Sequence, residues 1–90
     1  MDDATLLSRV KSGLAVTGTH TDAILRSKAL AVKQLMLNAG VSQEQVETDL
    51  GIETLTIGVN DIWNLGSGDV SFSPAFGMLL TQLKAVSTDA

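Results

Sequence analysis

GVSQEQVETDLGIETLTIGV, residues 40–59, is the stretch whose reading decides the fold. Ser42 followed by Gln45 is a capping box, and Val41 and Val46 stand at the positions of a hydrophobic staple, so a short helix opens at Ser42. Asp49-Leu50-Gly51 then reads as its end, with a tight turn on Gly51. A second helix over residues 52–65 aligns Ile52, Leu55, Val59, Ile62 and Trp63 along one stripe, with Ile57 pointing away among Asn60, Asp61 and Asn64, and Gly66 as its stop. Short helix, tight turn, second helix is the layout of a helix-turn-helix, and the first question is whether the chain reads DNA or packs into a bundle.

Charge argues against DNA. A groove-reading helix presents Arg, Lys, Asn or Gln to bases and phosphates, and phosphate binding is driven by clustered cations. The second helix of the pair carries Glu53 and Asp61, and the helix before it adds Glu44, Glu47 and Asp49. The basic residues are Arg9, Lys11, Arg26, Lys28, Lys33 and Lys84, and none lies between Gln34 and Gln82. Asn60 and Asn64 are polar enough to touch a base, but nothing beside them would hold the helix to a backbone.

Working outward, helical periodicity continues in both directions. Residues 3–14 form a helix with Leu6, Leu7, Val10 and Leu14 on one stripe, and Gly13 and Gly18 bracket its exit into a Thr-rich loop over 15–21. Thr19 with Asp22, or Thr21, caps the longest helix, residues 22–39, which Gly40 stops. Its main stripe is Leu25, Ala29, Val32, Met36 and Ala39, widened by Ile24, Ala31 and Leu35. Leu30 and Leu37 lie on a different face, so they either pack inside the bundle or meet a neighbouring subunit. Gly66-Ser67-Gly68-Asp69 is a turn by composition, and residues 70–72 are briefly extended. Ser73-Pro74 is an N-cap with proline at the first helical position, opening a last helix to about Val86 with Phe76, Leu79, Leu80 and Leu83 inward; the final Ser-Thr-Asp-Ala frays. The expected architecture is all-α: a single domain over residues 1–90, a small bundle of four main helices and one short one, with a Gly-Ser-Gly loop before the last.

A chain of 90 residues buries too little surface to be very stable alone, and without cysteine it has no disulfide to help. Its 44% apolar content with only Trp63, Phe72 and Phe76 as aromatics leaves aliphatic surface to spare, which favours assembly. No membrane span or secretory leader is evident, so a soluble protein made in the cytosol is expected. The single histidine, His20, has no second strong ligand beside it and no nucleophile-elbow motif to serve, and the Gly-Ser-Gly turn lacks the Lys of a phosphate loop. No enzyme, metal or cofactor is expected.

One stretch goes further than composition. GVNDIWNLGSGDVSFSPAF, residues 58–76, resembles the signature of the head–tail connector (adaptor) family of tailed phages and prophages, often labelled DNA-packaging proteins. The elements that carry the resemblance are Gly58, Asn60, Asp61, Trp63, Asn64, Gly66, Ser67, Gly68, Ser73, Pro74 and Phe76. The runs 6–11, 16–19 and 38–42 resemble the family too, so the likeness covers most of the chain in order. Leu65 and Ala75 depart from it, at positions where the family carries aromatics.

The resemblance implies a non-enzymatic structural adaptor: a helical bundle that forms a homo-oligomeric ring under the portal protein of a capsid. The ring would extend the DNA channel and dock the next tail-completion (stopper-type) protein. Its place would be the virion's head–tail junction, and the host bacterial cytoplasm during assembly. DNA would pass through without sequence-specific binding, and no membrane is involved. On that reading Leu30, Leu37 and Ile57 are the candidate subunit interface. Glu44, Glu47, Asp49 and Glu53, the longest acidic stretch without a basic residue, are either the channel lining or a solvated outer face. Trp63 is expected to anchor the last two helices, with Asn64 or Ser67 satisfying backbone groups in the turn. The rival readings are an acidic helix-turn-helix-like regulator and a generic bacterial protein-interaction module.

Overall fold

The computed structural model describes residues 1–63 and 72–87. Five helices follow in order: α1 (Asp3–Leu14), α2 (Asp22–Ala39), α3 (Gln43–Val46), α4 (Asp49–Trp63) and α5 (Pro74–Ser87), with no strand among the described residues. The fold is an all-α bundle. The expectations that fall on Asn64, Leu65, Gly66, Ser67, Gly68, Asp69 and the last three residues lie outside the described residues.

Local chemistry sets the helix ends. The Asp2 carboxylate accepts from the Thr5 amide at 2.8 Å and starts α1. Ala15 ends α1 in the left-handed conformation, at φ 57°, a position usually given to glycine. Gly40, at φ 112°, closes α2: its N–H donates to Leu37 O and the Val41 N–H to Met36 O, so two orphan carbonyls are satisfied. Ser42 caps α3 by accepting from the Gln45 amide at 3.2 Å. The reciprocal half of the expected capping box is replaced by a tertiary bond, since the Ser42 N–H donates to Ser87 Oγ of α5 at 2.9 Å.

The sequence reading misplaces the start of α4. Asp49-Leu50-Gly51 does not end α3; it is the first turn of α4. Thr48 makes the junction, accepting from the Gly51 N–H at 3.0 Å and donating to Gln45 O at 2.7 Å. Gly51 is buried because the α3 backbone crosses directly over it: a Cβ there would stand 2.1 Å from Gln45 O and 2.4 Å from Val46 O. Glycine serves close approach here, not a turn.

α4 is the axis of the bundle and touches each of the other four helices. Ile52, Leu55 and Val59 are buried on it, and the buried Thr54 and Thr56 donate to Leu50 O and Ile52 O of the same helix, so neither hydroxyl is left unpaired. Gly58 marks where α2, α4 and α5 converge: a Cβ would lie 2.7 Å from Phe76 Cε1 and 2.8 Å from Val32 Cγ1. The core around this axis takes Leu6 and Val10 from α1, Leu25, Ala29, Val32 and Met36 from α2, and Phe76 and Leu83 from α5.

On α2 the flank expected to widen the main stripe is the exposed one, and Leu30 and Leu37 take the bundle-packing alternative. Leu30 and Leu37 are half-buried and pack against the core, whereas Ile24, Ala31 and Leu35 face out, with Ile24 57% exposed. Helix periodicity locates the centre of an apolar stripe but not which flank its neighbours cover.

Candidate functional site

The described residues of the connector-like signature gather at the junction of α4 and α5. Asp61, near the end of α4, accepts from both the backbone N–H and the hydroxyl of Ser73, each at 2.8 Å. The Ser73 hydroxyl oxygen in turn accepts from the Phe76 amide at 3.3 Å. Pro74 opens α5, and Phe76 is buried under Gly58 and stacked on Phe72, with ring centroids 4.4 Å apart. One chain of contacts thus runs from Gly58 through Phe76 and Ser73 back to Asp61. It fixes the angle of α5 on α4, whatever path the intervening residues take.

Trp63 stands apart from this junction. It is 39% exposed and lines a cleft of about 400 Å³ with Leu14 of α1, Asn60 of α4, and Val16, Thr17 and His20 of the α1–α2 connection. Among the described residues, the contacts that join α4 to α5 at this end are made by Gly58, Phe76 and the Asp61–Ser73 clasp. Trp63 follows the α4 stripe in register, at the last position of the helix. The turn bonds expected of Asn64 or Ser67 lie outside the described residues, as do Gly66 and Gly68.

The α1–α2 connection is held by Lys11, whose ammonium donates to Gly18 O and pairs with Asp22 Oδ1 at 2.8 Å. His20 is exposed beside it. Among the described residues, no three His, Asp or Glu side chains converge as metal ligands, and no helix is long and apolar enough to cross a membrane.

The acidic residues 44–53 are not one field of free charge. Asp49 pairs with Arg9 at 2.8 Å. Glu47 accepts from Gln43 at 2.7 Å and from the Met1 amino group at 3.1 Å; the Gln43 hydrogen bond, then the amine, hold its carboxyl below the usual range. Glu44 and Glu53 are exposed and make no ion pair among the described residues. Of the proposed interface residues, Ile57 is half-buried on α4, like Leu30 and Leu37 on α2.

Sequence reading overlooked the outward faces. Ile24, Lys28, Ala31 and Leu35 recur at i, i+4, i+7 and i+11 and so share one side of α2, with Ile24 and Leu35 exposed. Leu50, Glu53 and Ile57 recur at i, i+3 and i+7 on the open side of α4, with Leu50 41% exposed. The spacings are legible in sequence; their exposure is not.

The helix-turn-helix likeness of residues 40–59 fares poorly in geometry. A recognition helix needs one long free face to enter a groove. Here the second helix of the pair is the bundle axis, and its open side carries Leu50 and Glu53 rather than cations. No family model, curated protein or solved structure matches the chain.

Proposed function

We propose that the chain is a non-enzymatic structural adaptor that assembles as a ring at the portal vertex of a phage or prophage capsid. There it extends the DNA channel and docks the next tail-completion protein. One observation carries the reading: Gly58, Asp61, Ser73, Pro74 and Phe76, separated along the chain, form a single contact chain at the α4–α5 junction. Residues chosen only for resemblance to the connector signature have a common physical task, which is to set the angle of the last helix. An adaptor needs that rigidity, because its two faces must keep a fixed relation while they meet different partners.

The test is electron microscopy of purified portal with and without the chain. Extra ring density on the portal's outer face is the expected result; portals unchanged at saturating chain concentration refute it. A second reading, a generic protein-interaction module, is favoured by the exposed apolar residues Ile24, Leu50 and Met78. It predicts binding to some other protein and no density on portals.

A further inference from the structure

The two outward stripes are complementary. That of α2 is the exposed Ile24, Ala31 and Leu35 with one half-buried cation, Lys28, among them; that of α4 is the exposed Leu50 and the half-buried Ile57, whose inner side packs on the core, with one exposed anion, Glu53, between them. Arg26 pairs with Asp3 and Arg9 with Asp49 within the chain, whereas Lys28 and Glu53, like Lys33, Lys84 and Glu44, make no ion pair among the described residues. The whole sequence is partitioned the same way: five of its six basic residues fall between Arg9 and Lys33, and no basic residue lies between Gln34 and Gln82, where Glu44, Glu47, Asp49, Glu53 and Asp61 stand.

From this we infer that the α2 stripe of one protomer seats on the α4 stripe of the next copy, with Lys28 against Glu53. A second copy is the occupant because each stripe finds its opposite charge, set among aliphatic side chains, on the same molecule. The contact joins two different faces, so it is head-to-tail and continues to a ring or a filament rather than stopping at a twofold dimer. One helix pair is a small interface and therefore weak by itself; closure around a ring, or capture on a template, multiplies it. The inference supplies the subunit contact of the adaptor proposed above and in that sense rests on that reading.

The experiment mixes isotope-labelled and unlabelled chains at millimolar concentration, treats them with a carbodiimide, and reads the cross-links by mass spectrometry. The expected product is an amide between Lys28 of one chain and Glu53 of another, lost in high salt as the charges are screened. In sedimentation, Lys28→Glu or Glu53→Lys alone should weaken self-association about tenfold, and the two together should restore it. A double variant no better than the singles, cross-links confined to other pairs, or a monomer at millimolar concentration overturns the contact. Rings on portals that survive either single reversal would sink this contact and leave the adaptor reading standing. The expected cross-link without rings would do the opposite.

Discussion

Gly58→Ala tests the convergence of three helices with the smallest possible change. A methyl group there would stand 2.7 Å from Phe76 Cε1 and 2.8 Å from Val32 Cγ1, closer than real carbon contacts come. Neither neighbour is the loose end of a flexible side chain. Val32 is β-branched and 1% exposed, and the Phe76 ring is 2% exposed and stacked on Phe72. Overpacking of this kind costs about 1–3 kcal/mol. Alanine also favours the helix over glycine by roughly 1 kcal/mol, which would hide part of the cost. Gly77→Ala supplies the control: Gly77 is also helical, on α5, and a Cβ there meets nothing within 4 Å among the described residues. Backbone and propensity effects are shared by the two variants, so their difference isolates the collision.

Gly77→Ala should therefore be neutral or more stable by up to about 1 kcal/mol, and Gly58→Ala less stable than Gly77→Ala by about 1–3 kcal/mol. For a domain of this size each kcal/mol is about 4–8 °C in melting temperature, so the gap is easily read by circular dichroism or urea titration. Equal stability of the two variants would refute the close approach of α2 and α5 across Gly58. Phe76→Leu placed on Gly58→Ala should recover part of the loss, because the obstructing ring edge is removed.

Ala15→Gly should stabilise the chain by about 0.5–1 kcal/mol in denaturant titrations, since Ala15 holds a left-handed φ of 57° that glycine adopts without strain. Gly51→Ala should unfold much of the population at room temperature by circular dichroism, because its Cβ would meet the α3 backbone rather than a side chain that can turn aside. Asp61→Ala should cost about 1–2 kcal/mol and raise hydrogen exchange at the start of α5, as both Ser73 donors lose their acceptor. Hydrogen bonds from Thr5 lower the Asp2 carboxyl below its ordinary range, so the unfolded chain binds that proton first and the cap's contribution is lost as pH falls through the lowered value. Thr5 amide protection, followed by NMR down the acid range, should fall with pH in the native chain and stay flat in Asp2→Asn.

Chemistry that acts over one turn was legible in the sequence: Ser42, Gly40 and Ser73-Pro74 mark helix ends as their side chains and backbones dictate. The extents of α1 and α2 follow from periodicity for the same reason. Gly51 was not legible, because a glycine that turns the chain and one that admits a crossing helix are the same letter. The flanks of α2 were not legible either, since Leu30 and Leu37 on one side and Ile24 and Leu35 on the other differ only in which helices happen to cover them. The Asp61–Ser73 clasp spans twelve positions with no local pattern to announce it. Trp63 is 39% exposed, although its size and register both favour burial, because register along a helix does not say how far its neighbours extend over its last turn.

The partition of charge bears on assembly and on DNA at once. If copies associate through Lys28 and Glu53, the contact consumes a cation that would otherwise be free to meet phosphate. Lys11 and Arg26 are already paired within the chain, with Asp22 and Asp3, and Arg9 with Asp49. Assembly would thus lower the free positive charge per subunit without changing the net charge of −4. Phosphate affinity follows the number of cations that can reach the backbone, and around a ring even small attractions add. A protein that hides its cations in its own contacts becomes less adhesive to a passing duplex as it assembles. Glu47 and Asp49 are engaged within the chain already, and Glu53 would be engaged by the contact, so of the four acidic residues Glu44 alone would stay exposed without an ion pair among the described residues.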